Sequence, residues 1–347
     1  MPTNKLNLAR RTLLRWYGEN RRSLPWRRTR DPYAIWIAET MLQQTQVKTV
    51  LPYYRRFLKA FPRLETLAAA PEPKVLALWS GLGYYRRAEN LLNTARLIVR
   101  EHHGSLPRDY GALKALPGIG PYTAGALMSI AFDQPHPALD GNARRVLGRA
   151  FNARRDEDLQ SIAQRLVRGP RPGQWNQALM ELGSRVCRAR EPRCPDCPLA
   201  RSCVARRSGL LGSPGARSRR PRAKTIDWPM VVLDRDGKIL IRRRPEGGLL
   251  RRLWELPGGI REKSESRVSA LRRHLDGIAT ELNALCEIGE VRHSITNRRI
   301  RAPIYRTTIR NKIQLPHGGW CWVSPASLRR YPVSSLTLKA VRLFHRP

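Results

Sequence analysis

Leu116-Pro117-Gly118-Ile119-Gly120-Pro121-Tyr122-Thr123-Ala124-Gly125 lies between two segments of helical pattern, and its reading decides what the first half of the chain is. Gly118 and Gly120 permit backbone conformations closed to other residues and let main-chain N–H groups approach a ligand closely. Pro121 suits the first turn of a helix, where its missing N–H costs little. Amides exposed at such a helix start form an anion site, sized here for one phosphate. An isolated G-x-G more often marks a plain connector between packed helices. The complete decapeptide, set in a strongly basic chain, favours the anion site.

The charge balance points the same way. Lys and Arg number 65 against 27 Asp and Glu, a formal net charge of +38. A polyanionic partner, DNA or RNA, would be bound through counterion release, with little sequence selectivity and a steep salt dependence. No apolar run approaches the roughly 18 residues that span a bilayer, and no lipidation signal is present. Met1–Thr12 is polar and basic, without the apolar stretch of a secretory signal. The expectation is a cytoplasmic protein, nucleoid-associated if bacterial, with no membrane partner and a monomeric state.

At 347 residues two domains are expected. Apolar residues recur at three- and four-residue spacing up to about Cys203, predicting helices at Leu6–Tyr17, Ala34–Leu51, Val75–Trp79, Arg87–His102, Tyr122–Ala131, Asn142–Phe151, Asp156–Leu166 and Asn176–Ser184. Arg, Gly, Ser and Pro then dominate a basic linker, 205–226. Beyond it, Met230–Leu233 and Ile239–Arg243 flank an Asp236-Gly237 turn and predict a hairpin. Further strands are expected at Gly289–His293, Arg301–Arg306 and Trp320–Val323, with a helix at Glu265–Leu275. The fold class is a mainly α region, 1–204, followed by an α+β domain, 227–347.

Two carboxylates carry a chemical signal. Glu39 sits among Ile35, Trp36 and Leu42 on a predicted helix. Apolar neighbours disfavour its ionised form, so its pKa should rise toward neutrality and leave a proton to donate. The plainer reading is a carboxylate at the edge of an amphipathic helix, paired with an arginine. Asp140 precedes a helical segment in Asp140-Gly141-Asn142-Ala143-Arg144-Arg145-Val146, where an N-cap role worth about 1 kcal/mol is enough to explain it. The two roles are compatible.

Cys187-x6-Cys194-x2-Cys197-x5-Cys203 concentrates four of the six cysteines. In a reducing compartment this density suggests metal rather than disulfides. Four thiolates suit one [4Fe–4S] cluster or a tetrahedral zinc, although zinc modules usually pair two C-x-x-C elements. Cys286 and Cys321 stand apart and read as ordinary thiols.

The decapeptide resembles the helix-hairpin-helix motif of base-excision glycosylases. Met41-Leu42-Gln43-Gln44-Thr45-Gln46-Val47, Leu139-Asp140-Gly141-Asn142 and the 6-2-5 cysteine spacing are similar to segments of the adenine-specific mismatch DNA glycosylases. That resemblance implies a six-helix barrel with an iron–sulfur helical domain, a [4Fe–4S] cluster on Cys187, Cys194, Cys197 and Cys203 (loop 187–203), and a partner of double-stranded DNA holding a mispaired adenine. It implies that Glu39 protonates adenine at N7, that Asp140 stabilises or attacks the sugar cation, and that Asn142 supports Asp140. Related glycosylase/lyases place a lysine where Tyr122 stands. Tyrosine cannot form a Schiff base, so hydrolysis alone is expected, with Tyr122 supporting Asp140 or the sugar. By the same resemblance Gly118 and Gly120 hold a DNA phosphate, Gln44 enters the base stack, Tyr84 of Gly81-Leu82-Gly83-Tyr84-Tyr85 wedges beside the opposite base, and Trp26 and Arg27 line the adenine pocket.

Gly247 to Gly259 resembles the Nudix-like domain of that family, and the carboxylate cluster of a Nudix hydrolase is missing from Leu271-Arg272-Arg273-His274-Leu275-Asp276. Recognition of an opposite 8-oxoguanine or guanine is the implied task. Where bacterial relatives carry F-S-H this chain has Ile295, Thr296 and Asn297, leaving the Thr296 hydroxyl and Asn297 amide to read the base. The resemblance excludes neither a glycosylase/lyase for oxidised pyrimidines nor a catalytically silent DNA-binding module; Tyr122 disfavours the first, and Glu39 with Asp140 the second.

Overall fold

A computed structural model describes residues 3–211, 223–275, 278, 285–309, 313, 315 and 318–344. Among the described residues twelve α-helices precede the first strand: α1 Thr3–Asn20, α2 Pro32–Leu42, α3 Val47–Ala60, α4 Leu64–Ala68, α5 Glu72–Trp79, α6 Arg86–Glu101, α7 Tyr110–Ala115, α8 Pro121–Ala126, α9 Gly141–Phe151, α10 Asp156–Val167, α11 Pro172–Arg185 and α12 Val204–Arg207. After them come β1 Lys224–Asp227, β2 Met230–Arg235, β3 Lys238–Arg243, β4 Trp254–Glu255, α13 Arg267–His274, β5 Cys286–Ile295, β6 Arg298–Thr308, β7 Trp320–Val323 and α14 Ser335–Phe344. The expected α and α+β halves are both present.

The chain resolves into two compact units: Met1–Ala69 with Asn90–Ser218, and Ala70–Glu89 with Arg219–Pro347. Residues 70–89, which precede the expected 204/205 boundary along the chain, pack in the second unit. The ends of the expected linker are ordered as α12 and β1, while 212–222 and Asp276 lie outside the described residues.

In the first unit, α1, α9, α10 and α11 enclose an apolar core that includes Leu13, Tyr17, Val146, Leu147, Ala163 and Trp175. The single helix expected at Ala34–Leu51 is two. α2 stops at Leu42, Gln44 takes a left-handed φ of 56°, and α3 restarts at Val47. No Gly or Pro marks that break; a non-glycine residue held there costs about 1–2 kcal/mol, which surrounding packing must offset. Asp31 caps α2, accepting from the Tyr33 and Ala34 amides. The helix expected at Tyr122–Ala131 is α8 continued by a π-helical turn at Leu127–Ala131.

In the second unit a mixed seven-stranded sheet runs β1-β6-β2-β3-β4, with β5 on β6 and β7 on β3. Asp236 and Gly237 have φ of 52° and 71°, the paired left-handed turn that joins β2 to β3. Met230 and Val232 face one core with α14, whereas Val231 and Leu233 face the other with α13. A strand covered on both faces reads as a continuous apolar run, which is why it stands out in sequence. Short β1 and β4, and α14, carry no comparable signal. No helix among the described residues is long and apolar enough to cross a membrane.

Candidate functional site

Glu39 projects from the last turns of α2 and is only 5 % exposed. Tyr122, at the start of α8, donates its hydroxyl hydrogen to Glu39 Oε2 at 2.5 Å and lies 3.6 Å from Met180 Sδ. Burial pushes the Glu39 carboxyl up from its ordinary 4.5, and the nearby charge of Asp140 adds to the rise. The Tyr122 hydrogen bond and the charge of Arg27 pull it down, and the balance is about 7. Burial, followed by the charges of Glu39 and Asp140, holds the Tyr122 hydroxyl well above its usual range, so it remains a donor. The phenol thus meets Glu39, where the sequence pointed it toward Asp140 or the sugar.

Asp140 caps α9: Oδ1 accepts from the Ala143 amide at 2.7 Å and Oδ2 from Asn142 Nδ2 at 2.9 Å. Both oxygens have fixed donors, so the carboxylate is held in one orientation. Asn142 is itself held, since its Oδ1 accepts from Arg145 at 2.8 Å. Arg145 also donates to the carbonyls of Gly183 at 2.7 Å and Cys187 at 2.8 Å. A Cβ on Gly183 would lie 2.6 Å from Asn142 Cβ, so only glycine lets α11 approach this closely. One turn further along α9, Arg149 is 2 % exposed and donates to the carbonyls of Arg188 at 2.7 Å and Ala189 at 3.0 Å, with Cys187 Sγ at 3.5 Å. Arg145 ties the aspartate to the cysteine loop through Asn142, and Arg149, four residues on, holds the same loop. Arg145 falls within the Asp140–Val146 segment that the sequence singled out, whereas nothing in so arginine-rich a chain distinguishes Arg149.

Cys187, Cys194, Cys197 and Cys203 line one pocket with Arg149, Arg193 and Arg206, and all four are free thiols. The donor set is purely sulfur and its surroundings basic, which suits a soft metal or cluster that keeps thiolates charged. Among the described residues no three His, Cys, Asp or Glu side chains converge as they would around a single ion.

The remaining expected residues are distributed as follows. Gly118 has φ of 78°, and a Cβ there would meet Asn90 Cβ at 2.8 Å. Gly120 is a correction: its φ of −85° and ψ of 180° are open to any residue. Its contribution is an unobstructed approach to the start of α8, where no neighbouring atom stands within 4 Å of a would-be Cβ. Gln44 is exposed at the tip of the α2–α3 break. Trp26 is 4 % exposed and packs edge-on against Tyr54, ring centres 5.1 Å apart. Arg27 donates to Glu181 Oε2 at 2.7 Å, and Arg22 grips the same carboxylate through two guanidinium bonds and its backbone amide. Both Trp26 and Arg27 are thus committed to packing and an ion pair, the latter missed in sequence because Glu181 lies far away along the chain.

In the second unit, Tyr84 is 44 % exposed at φ 49°. Thr296 and Asn297 form the exposed turn between β5 and β6, with Thr296 at φ 52° and its hydroxyl donating to the Ile295 carbonyl at 2.7 Å. Buried Glu255 is ion-paired with Arg242 and Arg244, and α13 carries no Asp or Glu. Among the described residues the carboxylate cluster of a Nudix hydrolase is not assembled.

Residues 37–171 match the family described as HhH-GPD superfamily base excision DNA repair protein, and residues 229–343 match the NUDIX domain. The adenine DNA glycosylase of Rattus norvegicus is 36% identical over 96% of this chain and 77% of its own length. That of Homo sapiens is 34% identical over 96% of this chain and 73% of its length. A thermostable thymine-DNA glycosylase superimposes with a TM-score of 0.56 at 30% identity, covering 59% of this chain and 98% of that one. With a helix-hairpin-helix unit, a Nudix-like unit and relatives matched over nearly its whole length, the chain belongs to the adenine DNA glycosylases, the glycosylases of base excision repair.

Proposed function

We propose that the protein hydrolyses the N-glycosidic bond of adenine mispaired with 8-oxoguanine or guanine, without strand cleavage. One observation carries the reading: a buried carboxyl, Glu39, held near pKa 7 by burial and bonded to Tyr122, in the electrostatic reach of Asp140. Breaking this bond needs a proton on the departing base and negative charge beside the oxocarbenium-like sugar. Glu39 is the acid. Asp140, its orientation set by Ala143 and Asn142, supplies the charge. Tyr122 orients Glu39, and with no amine at its position no Schiff base forms.

The start of α8 with Gly118 and Gly120 holds a backbone phosphate, Gln44 and Tyr84 open the stack, and the Thr296-Asn297 turn reads the opposite base. Trp26 and Arg27 act from behind the adenine pocket, Arg27 through its charge on Glu39. Cys187, Cys194, Cys197 and Cys203 would hold a [4Fe–4S] cluster. When bound, it would cross-link the loop, and hydrolysis draws no electrons from it.

The test is incubation with duplexes carrying A opposite 8-oxoguanine, A opposite guanine, or an oxidised pyrimidine, before and after alkali. Alkali-dependent breaks at adenine alone support the reading. Breaks without alkali, or at the pyrimidine, overturn it.

A further inference from the structure

Within the second unit, the loop that carries Tyr84 is fastened to the chain just before α14. The Val333 carbonyl accepts from Ser80 Oγ at 2.6 Å and from the Tyr85 hydroxyl at 2.8 Å, using both its lone pairs. The Tyr85 oxygen accepts in turn from the Gly81 amide at 3.1 Å, and Ser335 Oγ donates to the Gly81 carbonyl at 3.2 Å. Val333 is a firm anchor: it is fully buried and bridges Trp254, and Ser334 beside it caps α14 by accepting from the Thr337 amide at 3.1 Å.

The far side of the loop is held too. Gly83 O accepts from Trp79 Nε1 at 3.0 Å and from Arg87 at 3.2 Å, and the Arg87 guanidinium lies 5.3 Å from the Tyr84 ring centre. Gly81 and Gly83 take φ of 93° and 78°, which glycine allows freely, while Tyr84 at φ 49° is a non-glycine residue whose left-handed backbone its surroundings must hold. The hydrogen bonds named here restrain the loop backbone, while the Tyr84 ring, with Arg87 over it, is 44 % exposed.

We propose that Tyr85, with Ser80 and Ser335, is a positioning clamp by which the C-terminal half holds Tyr84 ready to enter the base stack. The Nudix-like unit then takes part in opening the duplex as well as in reading the opposite base. This rests on the reading of Tyr84 as a wedge, and the experiment separates the two.

Full-length protein with its cofactor is compared with Tyr85→Phe, Ser335→Ala and Tyr84→Ala in single-turnover excision. One duplex carries A opposite 8-oxoguanine between matched pairs; in the second the same mispair is flanked by mismatches, which lower the cost of unstacking. Fluorescence of 2-aminopurine beside the target reports unstacking directly. Tyr85→Phe should slow excision about 3- to 10-fold on the first duplex, the effect of lost hydrogen bonds, with a matching loss of fluorescence. On the second duplex the rate should return to within about 2-fold of wild type. Ser335→Ala, a smaller change, should show the same selective loss and covers a failure of Tyr85→Phe to fold. Equal slowing on both duplexes, or none on either, overturns the clamp. Normal opening by Tyr84→Ala overturns the wedge, and the clamp with it.

Discussion

The Tyr122 hydroxyl is 2.5 Å from Glu39 Oε2, so the phenol at the start of α8 is bonded directly to the buried carboxyl of α2. A donor to a carboxylate favours ionisation, yet burial outweighs it and leaves Glu39 near 7. The phenol therefore moderates the pKa that burial sets.

This balance predicts a pH profile. The acid must be protonated, so the excision rate should fall about tenfold per unit above pH ~7. Tyr122→Phe removes a pKa-lowering bond, and the alkaline limb should move to higher pH. Single-turnover rates from pH 5 to 9 check this. A limb at the same pH in both proteins would detach Glu39 from it.

Glu39 should also weaken the fold as pH rises. Below 4.5 it is protonated in folded and unfolded chains alike. Between 4.5 and about 7 only the unfolded chain ionises, and above 7 the full penalty applies, about 3 kcal/mol. Glu39→Gln should thus be more stable than wild type at pH 8 and indistinguishable at pH 4, measured by urea unfolding. Its excision rate should nevertheless drop by at least about 10²-fold, as should that of Asp140→Asn, with DNA binding retained. Near-normal excision by either variant would remove that residue from the chemistry.

Glu181 behaves oppositely. Burial raises its carboxyl, but the hydrogen bonds and charges of Arg22 and Arg27 prevail and hold it at about 2. Its contribution to stability is present above 4.5 and lost as pH falls from there toward 2. Glu181→Gln leaves Arg22 and Arg27 without their partner and should cost about 3 kcal/mol at neutral pH. A change below 1 kcal/mol in chemical denaturation would show the cluster to be dispensable.

Arg145 holds Asn142, and Asn142 holds Asp140. Lysine cannot reach the Asn142, Gly183 and Cys187 oxygens together, so Arg145→Lys should slow excision about tenfold while duplex affinity stays within twofold. Equal losses in rate and affinity would indicate a general disturbance instead.

Anaerobically purified protein should contain about four irons per chain and absorb broadly near 400 nm. Stoichiometric zinc would replace the cluster with a structural ion. Because Arg145 and Arg149 bond the cysteine loop, iron removal should slow excision as well as remove the colour.

Much of this was legible along the chain because the signals are local. The decapeptide around Gly118, the cysteine spacing, the Asp236-Gly237 turn and the buried run at β2 each depend on residues a few positions apart. Asp140 and Glu39 could be named by type, neighbours and resemblance. Tertiary structure decided what depends on distant partners. That Tyr122 meets Glu39, that Arg27 is committed to Glu181, and that Arg145 links Asp140, through Asn142, to the cysteine loop follow from packing α2, α8, α9 and α11 together. The α2–α3 break at Gln44 belongs here too. Its own residues disfavour a left-handed turn, and only the contacts of the folded unit make that conformation the lower in free energy.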